Sequence, residues 1–247
     1  MKAYRVSDLF FTEWHQLSGR AHSEVYSLHQ QIKSLPADKQ GSQEYGLLLI
    51  GILRRLRKRP LLVDKINVEQ AVDIYNDLTF LNQPWYYFPQ LQVKGLEIIS
   101  PEEKLARHTF DHFIYADHEY SSFLLTQETK HLARLAATLY QQNFDKEMVD
   151  TIAAKLKVNE WKLSLIFYTY AQVREFVMKR CKTLLPPAPV SDNIKPTATG
   201  STWLKLKHRL AETPAFQGYE TAGRANMYAS LDYLEDLAQQ KENAHRH

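Results

Sequence analysis

Apolar side chains recur every three or four residues along most of this chain, which is the spacing of one face of an α-helix. The clearest example is residues 66–78, INVEQAVDIYNDL, whose pattern returns in residues 144–156, FDKEMVDTIAAKL, at a constant offset of 78 positions. Three pairs of equivalent positions carry the same residue, namely Glu69 and Glu147, Ile74 and Ile152, and Leu78 and Leu156. We interpret the two segments as parts of a duplicated helical hairpin; the alternative is a chance similarity between amphipathic helices.

Both copies begin with a residue that can cap a helix. The side chains of Asn67 and Asp145 can accept amide hydrogens of a first helical turn, and each is followed two positions later by a glutamate near the positive end of the helix dipole. An apolar run at helical spacing precedes each copy, and an aromatic segment follows each. We therefore predict two similar halves, around residues 47–89 and 131–170.

Start and stop signals predict further helices on either side of these copies. Ser7 can cap a helix through Leu17, a second helix covers about residues 21–35, and a third begins near Ser42. Residues 100–103, Ser-Pro-Glu-Glu, form the clearest start signal, because Ser stands at the N-cap, Pro at the first helical position and Glu three positions after the cap. A long helix is predicted from about residue 159 to 184.

The predicted architecture is all-α, and only 8 glycines in 247 residues agree with a chain poor in tight hairpins and glycine-rich loops. A multi-helix body occupies residues 1–185. Residues 186–200 lie in a stretch rich in Pro, Ser and Thr, which is typical of a linker. Residues 201–247 form a C-terminal helical segment that the linker separates from the body.

The last helix of that segment carries an apolar stripe at Met227, Tyr228, Leu231, Leu234 and Leu237. Such a stripe needs a receiving surface, either on the same chain or on another molecule. We predict that it docks on a partner protein or on a second copy of the chain. Tyr228, Leu231 and Leu234 are the candidate contact residues.

Two prolines bracket four consecutive aromatic residues in the segment from Asn82 to Pro89, NQPWYYFP. Pro84 and Pro89 resist helix continuation, so an extended or turn-like segment is expected. The aromatic residues are Trp85, Tyr86, Tyr87 and Phe88. We treat them as candidate partner-binding residues, because Trp and Tyr dominate binding hot spots; closure of a hydrophobic core is the alternative.

A basic cluster ends the third predicted helix, and its members are Arg54, Arg55, Arg57, Lys58 and Arg59. Cations at a helix C-terminus complement the negative end of the helix dipole. The same cluster could instead bind phosphate or nucleic acid, which gives the alternative function of a nucleic-acid-associated regulator. The formal net charge of +3, from 31 basic and 28 acidic residues, does not indicate nucleic acid as the main partner.

Sequence motifs of catalysis and of metal binding are missing. There is no P-loop, no nucleotide-binding glycine pattern and no serine-hydrolase elbow. His108 and His112 have the spacing of a zinc-protease motif, but Thr109 stands where that motif requires a glutamate. We expect no enzyme activity, no cofactor and no metal site. The single cysteine, Cys181, suits a reducing compartment, so a cytoplasmic location without a membrane segment or secretory signal is expected.

Four stretches together resemble the tail-assembly-chaperone-like and related small tail proteins of tailed phages and prophages. They are YRVSDL near the start, LLLIGILRRLRKR with the following INVEQAVDIYNDL, TFDHFIYADHEYSSFL, and LAETPAFQGYETAGRANMYASLDYLEDLAQQ. The linker and the PWYYFP segment take no part in the resemblance. It implies an all-helical structural protein, located in the host cytoplasm, that binds tape-measure or tail-tube subunits during tail assembly. It implies no catalytic residues.

Overall fold

The computed structural model describes residues 9–39, 42–58, 66–93, 95–96, 98–185 and 200–245. Within these ranges the chain is all-α, as the sequence predicts, with ten α-helices and no strand. Short 3-10 turns join several of the helices. None of the described helices combines the length and the apolar character needed to cross a membrane.

The helices, in chain order, are α1 (Gly19–Ser34), α2 (Gln43–Leu56), α3 (Val68–Asp77), α4 (Phe110–Thr126), α5 (Thr129–Leu139), α6 (Met148–Lys155), α7 (Glu160–Arg180), α8 (Gly200–Ala211), α9 (Tyr219–Arg224) and α10 (Met227–His245). They belong to two compact units. Unit 1 comprises Met1–Trp85 with Asn159–Tyr168, and unit 2 comprises Tyr86–Val158 with Thr169–His247.

In unit 1, α1 packs against α2, and α2 packs against α3. Four residues at helical spacing on α2 are fully buried, namely Leu49, Ile52, Leu53 and Leu56. Trp14 closes one end of this core by stacking on His22, with the ring centroids 4.5 Å apart. Gly19 lies so close to the ring of Trp161 that a methyl group at this position would overlap it.

In unit 2, α4 is the central helix and packs against α5, α8, α9 and α10. Its buried face carries Phe110 and Phe113, and α8 contributes the fully buried Trp203. The rings of Phe113 and Trp203 meet edge to face, with their centroids 4.8 Å apart. The core of unit 2 therefore depends on helices from both ends of its sequence.

The two repeated segments turn the same face inward. Ala71 in α3 and the equivalent Val149 in α6 are both buried, while Glu69 and Glu147 are both exposed. The packing order is also the same, because α1, α2 and α3 pack in succession in unit 1 and α4, α5 and α6 do so in unit 2. Their starts differ. Asn67 forms a full capping box, whereas α6 begins after Glu147 without a side-chain cap.

The start signal at residues 100–103 does not begin an α-helix, which corrects the sequence prediction. A single 3-10 turn forms at Glu103–Leu105, with positive φ at Lys104, and α4 begins only at Phe110. Long-range bonds hold this segment away from helical geometry: Phe110 N–H donates to Ala225 O at 2.9 Å, and Met227 N–H donates to His108 O at 2.9 Å. Tertiary contacts override the local cap.

Residues 10–17, the described part of the first predicted helix after residue 9, do not form an α-helix. Ser7, its predicted cap, lies outside the described residues, and Trp14–Gln16 form only a 3-10 turn. Phe10 instead forms an isolated antiparallel bridge with Arg57. Phe11 N–H donates to Leu56 O at 2.8 Å, so this segment is bonded to the end of α2.

The C-terminal segment belongs to unit 2, which corrects the predicted division of the chain at residue 185. Residues 186–199, most of the predicted linker, lie outside the described residues. Beyond them, α8 and α10 both pack against α4. The apolar stripe of α10 finds its receiving surface on its own chain. The chain divides instead between Trp85 and Tyr86, with α7 contributing residues to each unit.

Candidate functional site

The four aromatic residues of the PWYYFP segment do not form one exposed surface. Trp85 is half-buried in unit 1. Its ring meets that of His22 edge to face, with the ring centroids 4.4 Å apart. In unit 2, the ring centroids of Tyr86 and Phe176 are 5.8 Å apart, and Phe88 is buried. Tyr87 is 56% exposed. The partner-binding prediction is thus corrected for the group as a whole, because most of the segment closes hydrophobic cores.

The predicted partner contacts of the last helix are packing residues of unit 2. Leu231 and Leu234 have no exposed surface. Tyr228 is half-buried, its hydroxyl donates to Lys104 O at 2.6 Å, and the guanidinium of Arg180 lies over its ring at 5.4 Å. Leu231 and Leu234 are therefore unavailable as anchors for a second molecule while unit 2 is folded, whereas Tyr228 keeps part of its surface exposed.

The basic cluster is partly neutralised within unit 1. Arg55 Nε donates to Glu24 Oε2 at 2.5 Å, and its Nη1 donates to Gly51 O at 3.1 Å. Hydrogen bonds from Arg20 and Arg55 lower the pKa of Glu24. Arg54 and Lys58 are exposed, and Arg59 lies outside the described residues. Arg55 can therefore reach a phosphate only by giving up its bond to Glu24.

The two histidines close the C-terminal end of α5. His108 Nε2 lies 2.9 Å from Leu139 O, and His112 Nε2 lies 3.2 Å from Gln141 O, so a proton on each Nε2 can be donated to a carbonyl. Burial lowers the pKa of His112 to about 3 and also lowers that of His108. Among the described residues, no three His, Cys, Asp or Glu side chains are grouped so that they could hold a metal ion.

Cys181 is buried at the end of α7. Burial raises the pKa of its thiol to about 12. The nucleophilic form of cysteine is the thiolate, so this side chain is protonated and unreactive at neutral pH.

A fully buried carboxylate, Asp117, joins three helices of unit 2. Its Oδ1 accepts from Arg174 Nε at 2.5 Å, and its Oδ2 accepts from Trp203 Nε1 at 2.6 Å. The hydroxyl of Tyr170 lies 3.5 Å from Oδ1. Each charge and the indole N–H has a partner, which offsets part of the cost of burial. Burial nevertheless raises the pKa of Asp117. The arrangement fixes α4, α7 and α8 together.

Two apolar side chains of unit 1, those of Leu47 and Val68, are exposed at neighbouring points of α2 and α3. Leu47 is 63% exposed on α2, and Val68 is 44% exposed at the start of α3. Val68 lies over Gly46, because a Cβ added to that glycine would stand 3.3 Å from Val68 Cγ2. Leu47 also lines an open depression of about 560 Å³ together with Gln43, Glu44 and Leu48. We name Leu47 and Val68 the Leu47 patch.

A larger cavity of about 760 Å³ lies within unit 2, which we name the unit 2 cavity. Its walls come from the start of α4, the loop between α5 and α6, and helices α8 and α9. At its wall, Lys207 Nζ bonds to Asp111 Oδ1 at 2.6 Å and lies 3.8 Å from the centroid of the Tyr219 ring. The Lys207 side chain is buried, whereas that of Asp111 is partly exposed.

Comparison with protein-family models, with characterised proteins and with solved structures gave no match for this chain. Its candidate sites are therefore defined by its own residues and geometry.

Asp117 and Lys207 are two buried polar residues that sequence patterns did not single out. Each lies on the apolar face of its helix: Asp117 continues the spacing of Phe110, Phe113 and Ile114, and Lys207 stands between Trp203 and Leu210. A charged residue in a predicted apolar stripe is the available signal, because buried charges require partners. The identity of those partners depends on the tertiary fold.

Proposed function

We propose that this chain is a non-enzymatic assembly protein that acts through protein-protein contacts. The resemblance to small tail proteins of phages favours tape-measure or tail-tube subunits as its partners. The observation that carries the proposal is the exposure of the Leu47 patch on unit 1.

Contact with a partner would remove the Leu47 patch from water. Complete burial of a leucine side chain is worth about 1.5–3 kcal/mol relative to its exposed state. Leu47 and Val68 lie on successive helices, and Val68 is fixed against Gly46. A partner helix or loop that covers both side chains would gain this free energy without rearranging the core. Single exposed apolar residues are common, so the pairing of two on adjacent helices matters.

The polar chemistry of the described residues supports a role without catalysis. Cys181 is protonated by virtue of its burial, and His108 and His112 bond to backbone carbonyls. The buried Asp117 carboxylate is held by Arg174 and Trp203. These groups contribute to packing and helix closure, which are structural tasks.

The proposal is tested by co-expression with the tail-tube and tape-measure proteins encoded in the same genome. The tagged chain should retain at least one of them through affinity purification and size-exclusion chromatography. Leu47→Asp should weaken retention by about tenfold or more, because a charge replaces a buried apolar contact. Leu125→Asp is the matched control, since Leu125 is 72% exposed on a helix of unit 2.

Retention of neither protein would contradict the assignment to tail assembly. Equal effects of the two leucine substitutions would contradict the role of the Leu47 patch.

The exposure of Arg54 and Lys58 favours the second candidate, a nucleic-acid-associated regulator. Fluorescence anisotropy with labelled duplex DNA distinguishes the two functions. A regulator should bind with an affinity that falls steeply as salt rises, and Arg54→Ala with Lys58→Ala should reduce that salt dependence. An assembly protein should show neither effect.

A further inference from the structure

We propose that the partner segment covering the Leu47 patch is a basic amphipathic helix, which presents an apolar stripe flanked by lysine or arginine. This inference rests on the proposed function, because it concerns the chemistry of the partner at the same surface. The packing of α2 against α3 favours a helix as the occupant, and the charge of α3 favours a basic one.

The Leu47 patch lies where α2 and α3 approach each other closely. Gly46 has no side chain to separate the helices, and a Cβ at this position would stand 3.3 Å from Val68 Cγ2. Leu47 on α2 and Val68 on α3 are exposed beside this contact, and the open depression of about 560 Å³ adjoins Leu47. A helix laid across the contact can cover both side chains with residues three or four positions apart.

Helix α3 carries three acidic residues and no basic residue. Glu69, Asp73 and Asp77 are all exposed, and each lies about one helical turn from the next. Val72, which is half-buried, follows Val68 by four positions and Glu69 by three, so the acidic side of the helix borders its apolar side. The whole chain has a formal net charge of +3, so the negative charge of this surface is a local feature.

These acidic side chains can meet cations of another molecule. Among the residues that the structure describes, no ion pair includes an acidic residue of α3. Beside Leu47, Glu44 pairs with Lys39 at 3.7 Å, but both side chains are exposed and such pairs contribute little stability. Lysine or arginine of a partner can therefore approach the Leu47 patch from two sides, through Glu44 on α2 and Glu69 on α3.

The helix dipole does not explain the acidic residues of α3 as a group. Glu69 lies in the first turn, where a negative charge stabilises a helix. Asp73 lies in the middle of the helix, where the dipole has little effect. Asp77 is the last residue, where a negative charge is unfavourable. Interaction with an external cation is a role that all three share.

A basic helix gains from both properties of the surface. Its apolar stripe leaves water on contact with Leu47 and Val68, and its cations approach Glu44 and Glu69. An acidic helix with the same stripe would instead meet like charges, which oppose binding. The charge of the surface therefore discriminates between helices that have equal apolar faces.

Fluorescence anisotropy of the full chain with two labelled synthetic peptides tests the proposal. Each peptide has about 18 residues, with leucine at helical spacing and glutamine at most other positions. One carries lysine beside the leucine stripe, and its twin carries glutamate at the same positions. We expect the lysine peptide to bind about tenfold more tightly than the glutamate peptide, and the difference to shrink as salt is raised from about 0.05 to 0.5 M.

Two pairs of variants locate the binding surface. Leu47→Gln should weaken binding of the lysine peptide about fivefold or more, whereas Leu125→Gln, at an exposed leucine of unit 2, should leave it unchanged. Glu69→Lys should also weaken it about fivefold or more. Asp77→Lys is the matched control, because it changes the charge of α3 equally but lies nine positions from Val68, on the opposite side of the helix.

Glu69→Gln, which keeps the size of the side chain, should weaken binding in the same direction as Glu69→Lys. Circular dichroism melting of every variant shows whether unit 1 stays folded.

Equal binding of the two peptides would overturn the proposal, as would tighter binding of the glutamate peptide. Absence of saturable binding of the lysine peptide up to about 1 mM would also overturn it, as would equal effects of Glu69→Lys and Asp77→Lys. If tail proteins are retained through Leu47 but the two peptides bind equally, the proposed function stands and this inference fails. If the lysine peptide binds at Leu47 but no tail protein is retained, the inference stands and the assignment to tail assembly fails.

Discussion

Asp117 and His112 show two ways in which unit 2 accommodates ionisable side chains in its interior. Asp117 accepts hydrogen bonds from Arg174 on α7 and Trp203 on α8, so it links α4 to both helices. His112 instead sits with its Nε2 directed at a carbonyl, and burial favours its neutral form. Removing one partner of a buried ion pair lowers the free energy of unfolding of a protein. Protonating a buried neutral histidine also lowers it.

The buried histidines predict a stability that falls at acidic pH. Burial lowers the pKa of His22 and of His29 to about 4 and that of His112 to about 3. Below their ordinary pKa of about 6.5 the unfolded chain takes up protons that the folded chain excludes. The free energy of unfolding should therefore be fully maintained above pH 6.5 and should decline progressively towards pH 4.

Urea unfolding at several pH values measures this dependence. His112→Gln should flatten the decline below pH 6.5, because the substituted chain has one buried base fewer. His118→Gln is the control, since His118 is exposed on the same helix, and it should leave the slope unchanged. A decline of the same steepness in both variants would contradict the role given to His112.

At the scale of single helices, capping residues predict helix starts well where no distant segment forms hydrogen bonds with the same stretch of backbone. The predicted caps Ser42 and Asn67 each accept a backbone N–H at the start of α2 and α3. Ser18 does the same at the start of α1, although the sequence analysis did not single it out. The signal at residues 100–103 is stronger in sequence but fails, because bonds to the segment around Ala225 and Met227 hold the backbone in another geometry. Such competition involves partners over a hundred residues away and has no local signature.

The helix α10 gives a prediction about packing. Leu231→Ala or Leu234→Ala should each lower the free energy of unfolding by about 2–5 kcal/mol, because a cavity replaces a fully buried side chain. Leu125→Ala is the exposed control and should change it by about 0.5 kcal/mol or less. Chemical denaturation followed by circular dichroism provides the measurement.

The outcome discriminates between docking within the chain and docking on a partner. If the two α10 variants unfolded like the unchanged chain and altered only its association state, the stripe would belong to an intermolecular surface.

At the scale of the whole molecule, unit 2 is assembled from segments far apart in the sequence. Removal of all residues after 185 should strip α4 of Trp203, Leu231 and Leu234 and leave Asp117 without its indole partner. We expect backbone amides of unit 2 to lose protection in hydrogen-exchange mass spectrometry, while those of α1 and α2 keep theirs. A chain ending after Lys241 is the control, because it retains all the residues of α10 that the structure describes as buried.

Full protection of α4 in the chain ending at residue 185 would contradict this expectation and would support the division that the sequence predicts.

The architecture was more predictable than the candidate sites. Helical spacing and capping residues identified most helices, because these depend on neighbours within a few positions. The unit 2 cavity was not predictable, because Asp111, Lys207 and Gly223 meet only through the packing of α4 against α8 and α9. The prediction that the apolar stripe on α10 docks on a partner or a second copy was wrong for the same reason, since Leu231 and Leu234 are buried within unit 2. Amphipathic periodicity shows that a face is buried but not which surface covers it.

The bond between Asp117 and Trp203 spans 86 positions of sequence, and this spacing has a consequence in time. At a synthesis rate of about 5–20 residues per second, Asp117 exists for roughly 4–17 seconds before the ribosome adds Trp203. Arg174 is added earlier in that interval, and Trp203 at its end. We expect the Asp117 carboxylate to keep water as its hydrogen-bond partner until these two residues are in place.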